Sequence, residues 1–181
     1  MSERRLDLAQ TSVLIVEPNV RLHRVYRDAL TAFGTGRIST VPDWDGALAR
    51  FTEERPHLAF VEVLDEERRA VGLDWIRRVR RDFPFPSRAV PIVASSALTT
   101  SKTVCEARNA GANDFMKKPF GVGDLFRQIT RVVEFVRPFV VDRAYVGPCR
   151  RTQAEGHQGP ERRYAKQLRG GSILGQGLQP A

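Results

Sequence analysis

Glu17, Glu62, Ser96 and Lys118 are two carboxylates, a hydroxyl and an ammonium, and each stands at or just past the end of a short apolar run. The runs are SVLIV, HLAFV, PIVAS and the FMK of NDFMKK. A carboxylate at the mouth of a buried strand serves a cation or a phosphoryl group, because either compensates for taking the charge out of water. Pro18, beside Glu17, brings no ligand of its own. If the four runs lie side by side, these residues make a single cleft suited to cation or phosphoryl chemistry.

The rest of the chain supplies the elements to align them. SVLIVE is a β-branched run that fits a buried strand, and the following residues place Leu22, Val25, Tyr26, Ala29, Leu30 and Phe33 on one helical face before Gly34 stops the helix. RISTV is a second strand, and Pro42 and Asp43 open a second helix over DWDGALARFTEE. HLAFVEV, AVPIVASS and NDFMKK continue the strands; LDWIRRVRRDF, SKTVCEARNAGA and GDLFRQITRVVEFV continue the helices. Such alternation predicts an α/β fold, a doubly wound five-stranded parallel sheet with helices on both faces. In that architecture the site lies at the carboxyl ends of the strands, where the strand order reverses. Trp44 and Trp75 are expected to pack on the sheet, and His23 and His57 lack carboxylates at metal-binding spacing.

Composition sets the limits. The chain has 181 residues, enough for one core and an appendage. No apolar stretch is long enough for a signal peptide or a membrane span, so a cytoplasmic protein is expected. Cys105 and Cys149 form no CxxC pair and are expected to be free thiols. Residues 137–181 hold eight Lys or Arg against three acids, while residues 1–136 hold twenty-one against eighteen. The expected division is an N-terminal arm (1–11), a globular domain (12–136) and a basic, largely disordered tail (137–181). Within the tail, Gly147–Arg151 and Gly159–Arg163 repeat Gly-Pro-x-Arg-Arg. A turn at each Gly-Pro would present Arg150, Arg151, Arg162 and Arg163 outward to an acidic partner. Nucleic acid is a weaker alternative, since Tyr145 and Tyr164 are the only tyrosines there for base stacking.

VLIVEPN, PHLAFVEV, PIVASSA and above all AGANDFMKKPF resemble the response regulator receiver domain of bacterial two-component signalling, of the chemotaxis-regulator type and flavodoxin-like in fold. The resemblance covers residues 12–136. It implies that Ser96 and Lys118 are the phosphoryl-contacting hydroxyl and cation and that Phe115 is the switch aromatic. It also makes Pro119, which turns the chain after the lysine, a candidate for a cis peptide. Two departures accompany the match. Glu62 stands where the family has its phosphorylated Asp, and Pro18 replaces one of the paired acids that hold Mg²⁺. An extra methylene displaces the carboxylate by about an ångström, enough to cost about 10²-fold in rate. The implied protein binds rather than catalyses, with no cofactor or only weak Mg²⁺.

Glu62 is expected to accept hydrogen bonds from Lys118 and Ser96; the alternative is a solvated cap on the strand. The partner, a histidine kinase or a downstream effector, would dock on the fourth helix, fifth strand and fifth helix. Two other functions stay open: phosphoryl acceptance at Glu62 or Asp65, and nucleic-acid binding through the tail.

Overall fold

The computed structural model describes residues 7–150. The chain alternates β1 (Ser12–Val16), α1 (Val20–Ala32), β2 (Arg37–Val41), α2 (Trp44–Glu54), β3 (Leu58–Glu62), α3 (Val71–Asp82), β4 (Ile92–Ser96), α4 (Ser101–Ala110), β5 (Asp114–Lys117) and α5 (Val122–Glu134). A single 3₁₀ turn, Ser87–Ala89, precedes β4. All strand pairings in the main sheet are parallel, and the order is β2-β1-β3-β4-β5. The expected doubly wound, flavodoxin-like sheet is therefore present, and the order reverses between β1 and β3.

Side-chain alternation along the strands builds two cores. Val13 and Ile15 of β1, with Leu58 and Phe60 of β3, pack against Tyr26, Leu30, Leu125 and Ile129 of α1 and α5. Leu14 and Val16, with Ala59 and Val61, pack against Phe51, Trp75, Ile76 and Val79 of α2 and α3. Because both faces are covered, β1, β3 and β4 are buried at every position, which explains their unbroken apolar runs. Helix starts follow local chemistry: Asn19, Asp43 and Thr100 each accept a backbone N–H of the first turn of α1, α2 and α4. Val25, expected on the buried face of α1, is exposed, while Tyr26 beside it is buried.

The expectation of a largely disordered tail from residue 137 is corrected for residues 137–150. Here β6 (Phe139–Val141) and β7 (Val146–Pro148) form an antiparallel hairpin. Phe139 and Tyr145 are buried in it, and Arg80 of α3, itself only 1% exposed, lies 5.6 Å from the Phe139 ring centroid. The guanidinium of Arg80 donates to the carbonyls of Gly111, Arg88 and Val90 and to Asn113 Oδ1, so the buried cation is held by four acceptors. A hairpin of two three-residue strands is marginal alone; the body supplies its missing burial.

Leu8 and Thr11 of the expected arm are also buried, and the Leu8 carbonyl accepts from the amides of Thr11 and Gly36. Among the described residues no helix is long and apolar enough to cross a membrane.

Candidate functional site

The ends of β1, β3, β4 and β5 bring Glu17, Glu62, Ser96 and Lys118 to one cleft of about 740 Å³, which Pro18, Leu64, Asp65 and Leu98 also line. Glu17 follows β1 directly, and its amide donates to the Val41 carbonyl. Glu62 ends β3, where α3 presses closely on the strand. A Cβ on Gly72 would stand 2.0 Å from the Glu62 carbonyl oxygen, so only glycine fits there. Trp44 Nε1 donates to the same carbonyl at 3.1 Å. Lys118 is anchored by its amide to the Ser96 carbonyl, and its peptide bond to Pro119 is cis.

Lys118 Nζ donates to both carboxylates at once: to Glu62 Oε2 at 2.5 Å and to Glu17 Oε2 in a still closer contact. The second oxygen of each acid is also used. Glu17 Oε1 accepts from the Asn19 amide and Glu62 Oε1 from the Leu64 amide, both at 3.1 Å. The side chains of Glu17, Glu62 and Lys118 are 3%, 9% and 11% exposed, so this triad forms the buried floor of the cleft. Two carboxylates and one ammonium leave a formal charge of −1 there. Burial pushes the Glu62 carboxyl above its usual range, and the opposing pull of Lys118 does not offset it.

Glu62 thus pairs with Lys118 and is not a solvated strand cap. The hydrogen bond expected between Glu62 and Ser96 is absent: Ser96 Oγ instead accepts from the Leu98 amide at 3.1 Å, two residues along the same loop. A local side-chain to backbone turn has won over a contact across strands. Asp65 lies on the rim, where Arg69 binds it through its amide at 2.7 Å and its Nε at 2.6 Å. Phe115 is half-buried on β5 and packs against the core on the α2–α3 side.

Two neighbours of the site were read from sequence only as packing residues. Trp44 carries no signal beyond its place after the Asp43 cap. Tyr26 reads as one more apolar position on α1, yet its phenol is driven far up by burial and next by the Glu17 charge.

Arg150 is exposed, and its guanidinium is also engaged by the domain itself. Its guanidinium stacks 4.4 Å from the Tyr145 ring centroid and donates to Asn109 Oδ1. Gly147 and Pro148 lie in β7 and form no exposed turn; a Cβ on Gly147 would stand 2.9 Å from Gly111 Cα. The first Gly-Pro-x-Arg segment is therefore part of the hairpin's attachment. Arg151, Arg162 and Arg163 lie outside the described residues.

A flavodoxin-like sheet with acids, a hydroxyl and a lysine at its strand ends has the architecture of a two-component signalling module. The chain belongs to the response regulator receiver domain family, whose model matches residues 13–130. It is 34% identical over 98 residues to the nitrogen assimilation regulatory protein NtrX of Azorhizobium caulinodans, covering 54% of this chain but 21% of that protein. Chemotaxis protein CheY of Thermotoga maritima is 28% identical over 122 residues, 67% of this chain and 91% of CheY. Among solved structures, the receiver domain of the sensor histidine kinase PA1611 from Pseudomonas aeruginosa PAO1 aligns with a TM-score of 0.57 and 26% identity, covering 67% of this chain and 95% of that one. That domain coordinates a magnesium ion in its active-site cleft.

Proposed function

We propose that this protein is an atypical receiver domain that acts as a phosphorylation-independent interaction module in bacterial two-component signalling. The observation that carries the reading is the bridge of Lys118 between Glu17 and Glu62. In a phosphoryl-accepting site the metal collects carboxylate oxygens and the lysine meets the incoming phosphoryl group. Here the ammonium occupies one oxygen of each acid, backbone amides take the others, and Pro18 contributes none. This donor set does not fit Mg²⁺, whose near-octahedral demand leaves little tolerance for missing oxygens. Asp65 is a poor substitute acceptor because Arg69 engages both of its oxygens.

The protein binds a signalling partner, a histidine kinase or a downstream effector, through α4, β5 and α5, with Phe115 on β5 as the switch aromatic, and works in the cytoplasm. Arg151, Arg162 and Arg163 of the tail add a contact to an acidic partner surface.

Trp44 offers an internal reporter, since its indole is bonded to the Glu62 carbonyl. Millimolar Mg²⁺ is expected to leave the tryptophan emission unchanged. A saturable change would overturn the reading of a site closed by its own lysine.

A further inference from the structure

Some arginines on the body of this domain are paired. Arg24 meets Asp28, Arg50 meets Glu54, Arg77 meets Asp74, Arg127 meets Asp124 and Arg131 meets Asp114. At the end of α3 and the hairpin, arginines without such partners come together. Arg80, Arg81, Arg88, Arg108, Arg137 and Arg150 gather there, and among the described residues none of them has a carboxylate within ion-pair distance.

Their proximity follows from shared partners. Arg80 donates to the Arg88 carbonyl, and Arg88 donates to the Arg81 carbonyl. Arg150 is bonded to Asn109, next to Arg108, and stacks on Tyr145. The Tyr145 phenol feels the charges of Arg80, Arg150 and Arg137 together. Arg80 is buried beneath this group, so its charge reaches the surface through a medium of low polarity and is screened less than an exposed one. The outer arginines, Arg81, Arg108 and Arg150, are exposed residues.

We infer that this end of the domain, opposite the strand-end cleft, is a docking surface for an acidic polypeptide segment. Guanidinium forks suit carboxylates and phosphates alike, so the choice rests on the rings. Tyr145 and Phe139 are buried, packed against Arg150 and Arg80, and present no platform on which successive bases stack. The rings that remain, Phe85 in the α3–β4 connection and Phe135 just before Arg137, are 44% and 70% exposed. Aromatic anchors interspersed with arginine are the composition enriched in protein-binding surfaces. This inference deepens the acidic-partner reading of the tail by placing folded arginines alongside it.

The experiment measures binding of a fluorescent oligoglutamate peptide to the full chain at physiological ionic strength, with a random-sequence DNA duplex as the competing probe. Arg81→Glu with Arg108→Glu is expected to weaken oligoglutamate binding about tenfold, as loss of charge complementarity does elsewhere. The reversals Arg24→Glu with Arg50→Glu are expected to stay within about twofold, and the tail change Arg162→Ala with Arg163→Ala is expected to weaken binding less than the Arg81 and Arg108 reversals do. If the Arg81 and Arg108 reversals unfold the chain, Arg81→Gln with Arg108→Gln replaces them with the same expected direction. Equal weakening by both pairs of reversals would reduce the effect to net charge and overturn the inference. Weakening by the tail change alone would leave the tail reading standing and remove the surface. Tighter binding of the duplex, or no binding of oligoglutamate, would also overturn it.

Discussion

Lys118 Nζ and Glu62 Oε2 lie 2.5 Å apart across the floor of the strand-end cleft, and the same ammonium also holds Glu17. One cation thus neutralises two buried acids in part, and its removal leaves both uncompensated. Lys118→Met is expected to destabilise the protein by about 3 kcal/mol at neutral pH, the usual scale for breaking a buried pair. The deficit should shrink on acidification, as protonation removes the stranded negative charge. Denaturant titrations at neutral and mildly acidic pH measure both effects.

Glu62→Gln behaves differently. The folded-state pKa of Glu62 is raised, chiefly by burial. An acid raised on folding contributes stability that is fully present below its unfolded value of about 4.3 and is lost as pH rises through the folded value. Ionised Glu62 therefore weakens the fold at neutral pH, and Gln removes that effect while Glu17 still engages Lys118. The variant is expected to lie within about 1 kcal/mol of wild type at neutral pH. The difference should move in favour of wild type as pH falls towards the unfolded value. A pH series of denaturation midpoints checks the direction.

The main sheet was legible because β1, β3 and β4 are covered on both faces, which forces continuous apolar runs, and because Pro42 and Asp43 mark the start of α2. The convergence of Glu17, Glu62, Ser96 and Lys118 followed from strand ends alone. What could not be read was the choice among partners. Lys118 is long enough to reach both acids, and Ser96 found a closer partner in the Leu98 amide. The hairpin was hidden for another reason. Its three-residue strands carry no period, and what buries them is Arg80, one of four arginines in α3 and in sequence indistinguishable from its solvated neighbours.

Arg80→Lys tests that attachment. Four acceptors spaced around the planar guanidinium cannot all be met by one ammonium. A loss of about 3 kcal/mol is expected, from buried carbonyls left unpaired. Hydrogen exchange should show the amides of residues 139–148 losing protection first, while β1 and β3 keep theirs. Uniform loss of protection across the sheet would mean that Arg80 supports the whole fold and not the hairpin in particular.

The double change Glu62→Asp with Pro18→Asp restores a short carboxylate and a second acid beside Glu17 while leaving Ser96 and Lys118 in place. Shortening residue 62 draws its carboxylate away from Lys118 and frees oxygens for a metal. This variant is expected to gain saturable Mg²⁺ binding, read by tryptophan emission. A folded double variant that ignores Mg²⁺ would count against the site as described.

The most direct measurement of the central claim is the intact mass of the wild-type protein after incubation with a small acyl phosphate and Mg²⁺. A site closed by Lys118 predicts an unchanged mass, with the Glu62→Asp, Pro18→Asp variant gaining one phosphoryl group under the same conditions. A phosphoryl adduct on the wild type that maps to Glu62 or Asp65 would contradict the account.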